Sequence, residues 1–262
     1  MAEVDLAEAR EVAIAAARSA GALAYSRIDS VLEVRHKGLV DLVTDVDVQS
    51  EREISAAIQA AFPTHAILGE EGGVQAGSDE RYRWIIDPLD GTTNFAHGFP
   101  LFCVSIGFEV DRRLALGVAY AASLDELFVG EAGQGATLNG KPIHVSETTD
   151  LRQAMVATGF PYDRSQLPRA LRSFESLSHA SQAVRRVGSA VLDLCYVACG
   201  RFDAYWEHIV KPWDMAAGAL MVLEAGGSLS GTDGSSFSVD GGEVLATNGR
   251  LHSAMLDALA GI

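Results

Sequence analysis

The feature that most constrains the fold is a set of apolar runs that end in carboxylates. The run Trp84-Ile-Ile86 leads directly into Asp87-Pro-Leu-Asp-Gly91, and Ile67-Leu68 leads into Gly69-Glu-Glu71. A third segment, Lys211-Pro-Trp-Asp214, opens an apolar helical pattern. Because strand ends and helix starts meet at one edge of a sheet, where ligand sites are favoured, we expect these acids to converge.

The segment Asp87-Pro-Leu-Asp-Gly91 is suited to aim two carboxylates at one point. Proline fixes one backbone angle, and glycine permits a turn that other residues resist. Clustered carboxylates repel each other unless a cation lies between them, and oxygen-only ligands suit a hard cation such as Mg²⁺. Taken singly, however, Asp-Pro and Asp-Gly are ordinary turn pairs, and Asp214 could simply cap a helix.

The pattern of elements changes near the middle of the chain. Helices are predicted at about 5–28 and 47–62, the second with a buried stripe of Ile54, Ala57, Ile58 and Ala61. They are followed by a predicted antiparallel meander, which extends through Ala136–Val145. From about residue 154, short strands alternate with helices near 168–179, 189–199, 213–225 and 250–260. We therefore expect an α+β subdomain at 1–148 and an α/β subdomain at 149–262.

The net charge of the protein disfavours some classes of binding partner. The formal net charge is −15, so nucleic acid and anionic membrane surfaces are unfavourable partners. No segment reaches the roughly 18 consecutive apolar residues of a membrane span, and the acidic N-terminus lacks a signal pattern, so a cytoplasmic protein is expected. The three cysteines, Cys103, Cys195 and Cys199, favour neither a disulfide framework nor zinc.

Two other features of the sequence are better explained by structural roles than by catalysis or ligand binding. Residues 135–141 match most of a P-loop, but Pro142 stands where that motif needs Ser or Thr, and Asn139-Gly140 is a hairpin signal. The seven histidines are scattered without zinc-ligand spacing, although His208, next to Glu207, could line a site.

Asp87-Pro-Leu-Asp-Gly-Thr-Thr-Asn-Phe95 together with Trp213-Asp-Met-Ala-Ala-Gly218 resembles the inositol monophosphatase family. The resemblance covers nearly the whole chain and implies a layered αβαβα sandwich of the inositol monophosphatase and fructose-1,6-bisphosphatase type. The other matching stretches are Asp41-Leu-Val-Thr-Asp-Val-Asp47, Gly69-Glu-Glu71, Phe99-Pro-Leu-Phe-Cys-Val-Ser-Ile-Gly107, Gly188-Ser-Ala190, Glu224-Ala-Gly-Gly227 and Ala246-Thr-Asn248.

The resemblance also implies roles for individual residues. Two or three Mg²⁺ ions would be held by Glu70, Asp87, the Leu89 carbonyl, Asp90 and Asp214. Asp47 would hydrogen-bond Thr92, and Thr92 with Glu70 would position and activate the attacking water. The phosphate would bind backbone amides of Gly91, Thr92 and Thr93, in agreement with anion binding at a helix start. The alcohol part would contact Gly188, Ser189, Ala190 and Glu207, and Lys37 would belong to a basic loop that closes over the site.

The expected activity is therefore Mg²⁺-dependent hydrolysis of a small phosphorylated polyol or sugar, with inositol monophosphate as the first candidate. The resemblance also implies a lithium-sensitive homodimer. Three alternatives remain: a broad sugar phosphatase that accepts fructose 1,6-bisphosphate, a histidinol-phosphate phosphatase, and a regulatory binding protein with the same fold. Thr93, where histidinol-phosphate phosphatases tend to have lysine, disfavours the second.

Overall fold

The computed structural model describes residues 5–30, 34–36 and 42–262. Lys37 therefore lies outside the described residues. The helices of the described part are α1 (Leu6–Arg27), α2 (Asp45–Ala61), α3 (Thr92–Ala96), α4 (Leu167–Ala180), α5 (Ala190–Ala198), α6 (Pro212–Glu224) and α7 (His252–Leu259). None of these described helices combines the length and the apolar character that a membrane crossing requires.

The start of α2 is fixed by a capping box. The Thr44 side chain accepts a hydrogen bond from the Val46 amide, and the Asp47 carboxylate accepts one from the Thr44 amide. Such reciprocal bonds satisfy backbone donors that have no partner inside the helix. They also hold Asp47, which is fully buried, in one orientation.

Two strands, β1 (Val34–His36) and β2 (Leu42–Thr44), form a small antiparallel pair before α2. The main sheet has the order β10-β9-β8-β7-β6-β5-β3-β4 and is antiparallel except between β3 and β5. Its strands are β3 (His65–Gly69), β4 (Gly73–Gln75), β5 (Asp79–Asp90), β6 (Cys103–Val110), β7 (Arg113–Ala121), β8 (Glu126–Glu131), β9 (Gly135–Leu138) and β10 (Lys141–Pro142).

The second sheet has the order β12-β11-β13-β15-β14 and is mixed. Its two parallel pairs join β11 to β12 and to β13, whereas β15 runs antiparallel to both of its neighbours. The strands are β11 (Met155–Thr158), β12 (Ala183–Arg185), β13 (Ala204–Glu207), β14 (Ser228–Ser230) and β15 (Val244–Thr247).

The elements stack in five layers. One core lies between α1, α2 and the main sheet, and it is rich in alanine from α1 and in aromatic residues from β5 and β6. A second core surrounds α5 and α6, which lie between the two sheets, and a third joins α4 and α7 to the far face of the second sheet. The αβαβα sandwich is thereby confirmed.

Small residues allow α6 to lie directly on the main sheet. A side chain at Gly117 of β7 would come within 2.7 Å of the Ala217 carbonyl oxygen, and one at Gly107 of β6 would come equally close to Ala216. Only glycine permits such close packing of a helix backbone on a strand. This contact brings the start of α6, and with it Asp214, to the end of β5.

The structure also corrects details of the sequence analysis. Ala57 is exposed, and the buried stripe of α2 runs through Asp47, Glu51, Ile54 and Ile58 instead. Residues 143–145, expected to continue the meander, lie outside any strand. The hairpin at 139–140 is confirmed, since both residues have positive φ, as its turn type requires. The boundary between 1–148 and 149–262 stays a prediction, although each sheet lies wholly on one side of it.

Candidate active site

Three carboxylates from two distant segments meet at the end of β5. Asp87, Asp90 and Asp214 each offer an oxygen, and these ligand atoms all lie within 4.8 Å of one another. Within the described part of the chain, none of the three forms an ion pair with a lysine or arginine side chain. The cluster therefore carries concentrated negative charge on oxygen ligands only, which fits a hard divalent cation.

Asp87 and Asp90 are brought together by an irregularity at the end of β5. Asp87 pairs with Ser105 of β6 and Asp90 pairs with Cys103, so two residues of β5 have no partner between them. The Asp87 carboxylate accepts a hydrogen bond from the Leu89 amide (2.9 Å), which fixes the turn. Gly91 then adopts a φ of 94°, a left-handed value that favours glycine.

The carboxylate of Asp90 is held from the second half of the chain. Its Oδ2 accepts hydrogen bonds from the Ser189 hydroxyl (2.5 Å) and from the Val191 amide (2.8 Å). Ser189 is also the N-cap of α5, because its hydroxyl oxygen accepts a bond from the Leu192 amide (3.2 Å). The start of α5 and the end of β5 are therefore joined through one carboxylate.

Asp214 occupies the first turn of α6, and its Oδ2 accepts a hydrogen bond from the Lys211 amide (2.7 Å). Through that bond Asp214 caps α6, and it also belongs to the acidic cluster, so one residue can both cap the helix and bind a metal.

Glu70 follows β3, the parallel neighbour of β5. Gly69 pairs with Ile86, and the Glu70 amide donates to the Ile86 carbonyl, so Glu70 stands beside Asp87 at the same sheet edge. The charge of Glu70 acts on Asp87, but Glu70 is not among the three acids whose ligand atoms lie within 4.8 Å of one another, so its part in a metal site stays a prediction.

A hydrogen-bonded chain connects α2 to the turn after β5. The Thr92 hydroxyl lies 3.0 Å from Asp47 Oδ1 and 3.0 Å from the Leu89 carbonyl oxygen, and it can donate to one of them at a time. Asp47 Oδ2 accepts from both the amide and the hydroxyl of Thr44. The Thr92 side chain is therefore fixed next to the acidic cluster, as the resemblance implied.

A cavity of about 370 Å³ opens beside the cluster. Its wall includes Glu70, Asp90 and Asp214 together with residues of α5 and β13. The residues expected to contact substrate that line it are Gly91, Gly188, Ser189, Ala190 and Glu207. His208, in contrast, is buried between Ser173 (2.6 Å) and Thr232 (3.1 Å) and does not line the cavity.

Burial and mutual repulsion raise the pKa of the clustered acids. Burial, followed by the charges of Glu70, Asp90 and Asp214, raises the pKa of Asp87 well above its usual range. Burial also raises the pKa of Asp90 to about 6, although hydrogen bonds from Ser189 and Val191 oppose the shift. A cation in the cluster would favour the charged forms of these acids.

The buried acids Glu51 and Asp193 have functions in the structure that the sequence analysis missed. Glu51 accepts hydrogen bonds from the Glu71 amide (2.8 Å) and the Gly72 amide (2.6 Å), so it holds the turn after β3 that carries Glu70. Asp193 is an acid within the otherwise apolar α5, and it lines the cavity. An acid on a buried helical stripe is the signal that could have identified both.

Comparison with known proteins shows which family and which proteins the chain is similar to. The profile of the inositol monophosphatase family matches residues 5–261. Inositol-1-monophosphatase of Synechocystis is 46% identical over 258 residues, which cover 98% of this chain and 90% of that protein. The Nus factor SuhB of Pseudomonas aeruginosa is 46% identical over 95% of this chain and 94% of its own length.

Solved structures agree with the sequence relatives. Inositol monophosphatase from Anabaena superposes with a TM-score of 0.90 at 42% identity and covers 99% of this chain and 98% of its own. The extragenic suppressor protein suhB from Bartonella henselae has a TM-score of 0.93 at 37% identity, with 97% and 100% covered. The layered fold and its acidic site thus define a phosphoric monoester hydrolase of a metal-dependent class. The chain belongs to the inositol monophosphatase family.

Proposed function

We propose that the protein hydrolyses inositol monophosphate to inositol and phosphate with the help of Mg²⁺. The observation that carries the proposal is the meeting of Asp87, Asp90 and Asp214, whose ligand oxygens lie within 4.8 Å of one another, with Asp90 and Asp214 at the wall of a cavity of about 370 Å³. Clustered carboxylates that form no ion pair with a described lysine or arginine need another source of positive charge before a phosphate dianion can approach.

The donor set fits Mg²⁺. Its members would be Glu70, Asp87, the Leu89 carbonyl, Asp90 and Asp214, which are all oxygen ligands and suit two or three ions of this kind. Bound Mg²⁺ would supply a water of lowered pKa and positive charge for the phosphoryl oxygens and the leaving alkoxide. Inhibition by Li⁺ belongs to the same proposal.

Thr92 and Glu70 would orient the attacking water. Because Asp47 accepts the Thr92 proton in a hydrogen bond, the lone pairs of the Thr92 oxygen are available to accept one from water. Asp47 can serve in this way while it is ionised, and burial raises its pKa to about 6, which leaves it mostly ionised at neutral pH. The arrangement fixes the water without any covalent enzyme intermediate.

The two ends of the substrate would contact different parts of the cavity. Backbone amides of Gly91, Thr92 and Thr93 would hold the phosphate, and Gly188, Ser189, Ala190 and Glu207 would contact the alcohol part. Lys37, which lies outside the described residues, stays a proposed contributor to substrate binding. We also propose a cytoplasmic homodimer, for which light scattering of the purified protein is the test.

Phosphate release from a panel of monoesters tests the proposal. The panel contains inositol 1-phosphate, fructose 1,6-bisphosphate, histidinol phosphate, glycerol 2-phosphate and adenosine 3′,5′-bisphosphate, each with Mg²⁺ and with a chelator. We expect the highest kcat/KM on inositol 1-phosphate and no turnover with the chelator. A clear preference for histidinol phosphate or fructose 1,6-bisphosphate would favour one of those alternatives instead.

A regulatory binding role is the alternative from another class, and the relatives named Nus factor SuhB support keeping it. Asp214→Asn separates the two, since it should abolish turnover while the protein stays folded. A cell in which Asp214→Asn replaces the natural protein without any growth defect would show that turnover is not the main role.

A further inference from the structure

Asp193 is a buried acid at the cavity wall, and one of its two carboxyl oxygens has no hydrogen-bond partner among the described residues. It lies in α5, is 1% exposed, and lines the cavity beside the acidic cluster. Within the part of the chain that the structure describes, its Oδ1 has no hydrogen-bond partner. A buried acceptor oxygen that is left without a donor costs free energy, so the presence of Asp193 Oδ1 at the cavity calls for a donor.

Glu207 lines the same cavity as Asp193, and the Tyr205 hydroxyl holds its carboxylate in place. The Tyr205 hydroxyl donates to Glu207 Oε2 (2.5 Å). Gly159 leaves room for the same carboxylate, because a side chain at Gly159 would come within 2.0 Å of Oε2. The charge of Glu207 adds to burial in raising the pKa of Asp193, which shows that the two acids act on each other.

Among the described residues, the other buried side-chain oxygens without a hydrogen-bond partner do not share this setting. They are the hydroxyls of Ser50 and Ser55, which lie in α2, on the other side of the main sheet. Within the described part of the chain, Asp193 Oδ1 is therefore the one such atom that belongs to a residue of the cavity wall.

The guanidinium of Arg186 lines the same cavity, and its positive charge acts on Asp193, Glu207 and Asp90. The positive charge of Arg186 thus already acts against negative charge on Asp193, in α5, and on Glu207, in β13. The groups that best complete the arrangement are therefore neutral hydrogen-bond donors, namely hydroxyls, and not a cationic amine.

We propose that Asp193 accepts a hydrogen bond from a free hydroxyl of the substrate's alcohol part, next to the hydroxyl that Glu207 would bind. The inference rests on the proposed phosphatase function and narrows its substrate class to phosphates of polyols with at least two free hydroxyls. A phosphate ester whose alcohol lacks hydroxyls would leave the Asp193 carboxylate unpaired when it binds.

The test compares two substrates in three variants. Inositol 1-phosphate carries free hydroxyls, and 4-nitrophenyl phosphate carries none. We expect the ratio of their kcat/KM values to fall ~10- to 100-fold in Asp193→Leu, as for a substrate hydroxyl that is left without its acceptor. Asp193→Asn, which keeps one acceptor oxygen, should lie between it and the natural protein. Ser55→Ala, which removes an unpartnered polar atom far from the cavity, is the matched control and should leave the ratio unchanged.

A second measurement does not depend on turnover. Free myo-inositol should raise the unfolding temperature of the natural protein, and the shift should be lost in Asp193→Leu. An unchanged substrate ratio, or an equal shift in both proteins, would overturn the inference.

Two further outcomes separate this inference from the proposed function. If the natural protein hydrolyses 4-nitrophenyl phosphate but not inositol 1-phosphate, the proposed substrate is wrong, and the myo-inositol shift alone decides the role of Asp193. If Asp193→Asn lowers kcat/KM for histidinol phosphate more than it lowers kcat/KM for inositol 1-phosphate, Asp193 binds a cationic group. The assignment to hydroxyls is then wrong.

Discussion

Asp87→Asn should raise the stability of the protein in the absence of divalent metal. The ligand oxygens of the cluster lie within 4.8 Å of one another. Two unit charges at that distance repel by about 3.5 kcal/mol at an effective dielectric constant of about 20. Protonation relieves part of this repulsion, because burial and the neighbouring acids raise the pKa of Asp87. We therefore expect a net gain of about 1–3 kcal/mol in the free energy of unfolding.

The substitution should otherwise be tolerated. The asparagine oxygen can still accept the hydrogen bond from the Leu89 amide, and its amide can donate to the neighbouring carboxylates. A gain of about 1–3 kcal/mol corresponds to an increase of about 2–10 °C in the unfolding temperature of a protein of this size.

Differential scanning calorimetry in chelator and in Mg²⁺ measures both effects. The natural protein should be stabilised by Mg²⁺, whereas Asp87→Asn should gain much less, since the stabilisation by a ligand that binds only the folded state grows with the logarithm of the ligand concentration divided by its Kd. Asp203→Asn is the control, because the Asp203 oxygens accept from the Ser146 hydroxyl (2.5 Å) and the Met155 amide (2.7 Å), and it should be destabilised. If Asp87→Asn lowers the unfolding temperature in chelator as Asp203→Asn does, the reasoning about repulsion is wrong.

Three further predictions concern groups around the cluster. Gly159→Ala should raise KM for inositol 1-phosphate more than it changes kcat, since its new methyl would come within 2.0 Å of Glu207 Oε2; an unchanged KM would contradict this. Thr92→Val should lower kcat by ~100-fold, as for a lost water-orienting group, and Thr92→Ser should restore most of it; equal rates in both variants would remove the hydroxyl from the mechanism. Burial lowers the pKa of His208 to about 4 from its ordinary 6.5, so the unfolded chain takes up this proton first. The contribution of His208 to stability is therefore complete above about pH 6.5 and is lost as the pH falls towards 4. Unfolding temperatures at pH 7 and pH 5 should differ more in the natural protein than in His208→Gln, and equal differences would contradict the assignment.

The layered fold and part of the site follow from local patterns in the sequence. An apolar run such as Trp84-Ile-Ile86 that leads into two acids, a proline and a glycine marks the end of a strand, so the position of Asp87 near the end of β5 is predictable, although its burial is not. The helix start at Asp214 is predictable in the same way. That Asp214 meets Asp87 and Asp90 is not, because it depends on the close packing of α6 on Gly117, a tertiary contact that no local pattern encodes. Only the family resemblance predicted that Asp214 joins Asp87 and Asp90 in one site.

The buried acid Glu51 shows a second limit of prediction from hydrophobic patterns. Apolar residues alone predict a buried stripe of α2 that includes Ala57 and omits Glu51, whereas Ala57 is exposed and Glu51 is buried. Glu51 is buried because the amides of Glu71 and Gly72 donate to it, and these donors lie 20 and 21 residues away. A hydrophobic pattern cannot foresee a buried acid whose partners are backbone amides elsewhere in the chain.

The central claim, that divalent cations bind between Asp87, Asp90 and Asp214, is tested most directly by anomalous diffraction from a crystal grown with Mn²⁺. Mn²⁺ accepts the same oxygen ligands as Mg²⁺ and gives a signal that Mg²⁺ lacks. The account predicts at least one anomalous peak in contact with carboxylate oxygens of all three residues, and its loss in Asp214→Asn. A crystal with Mn²⁺ bound elsewhere and no peak among these three side chains would contradict it.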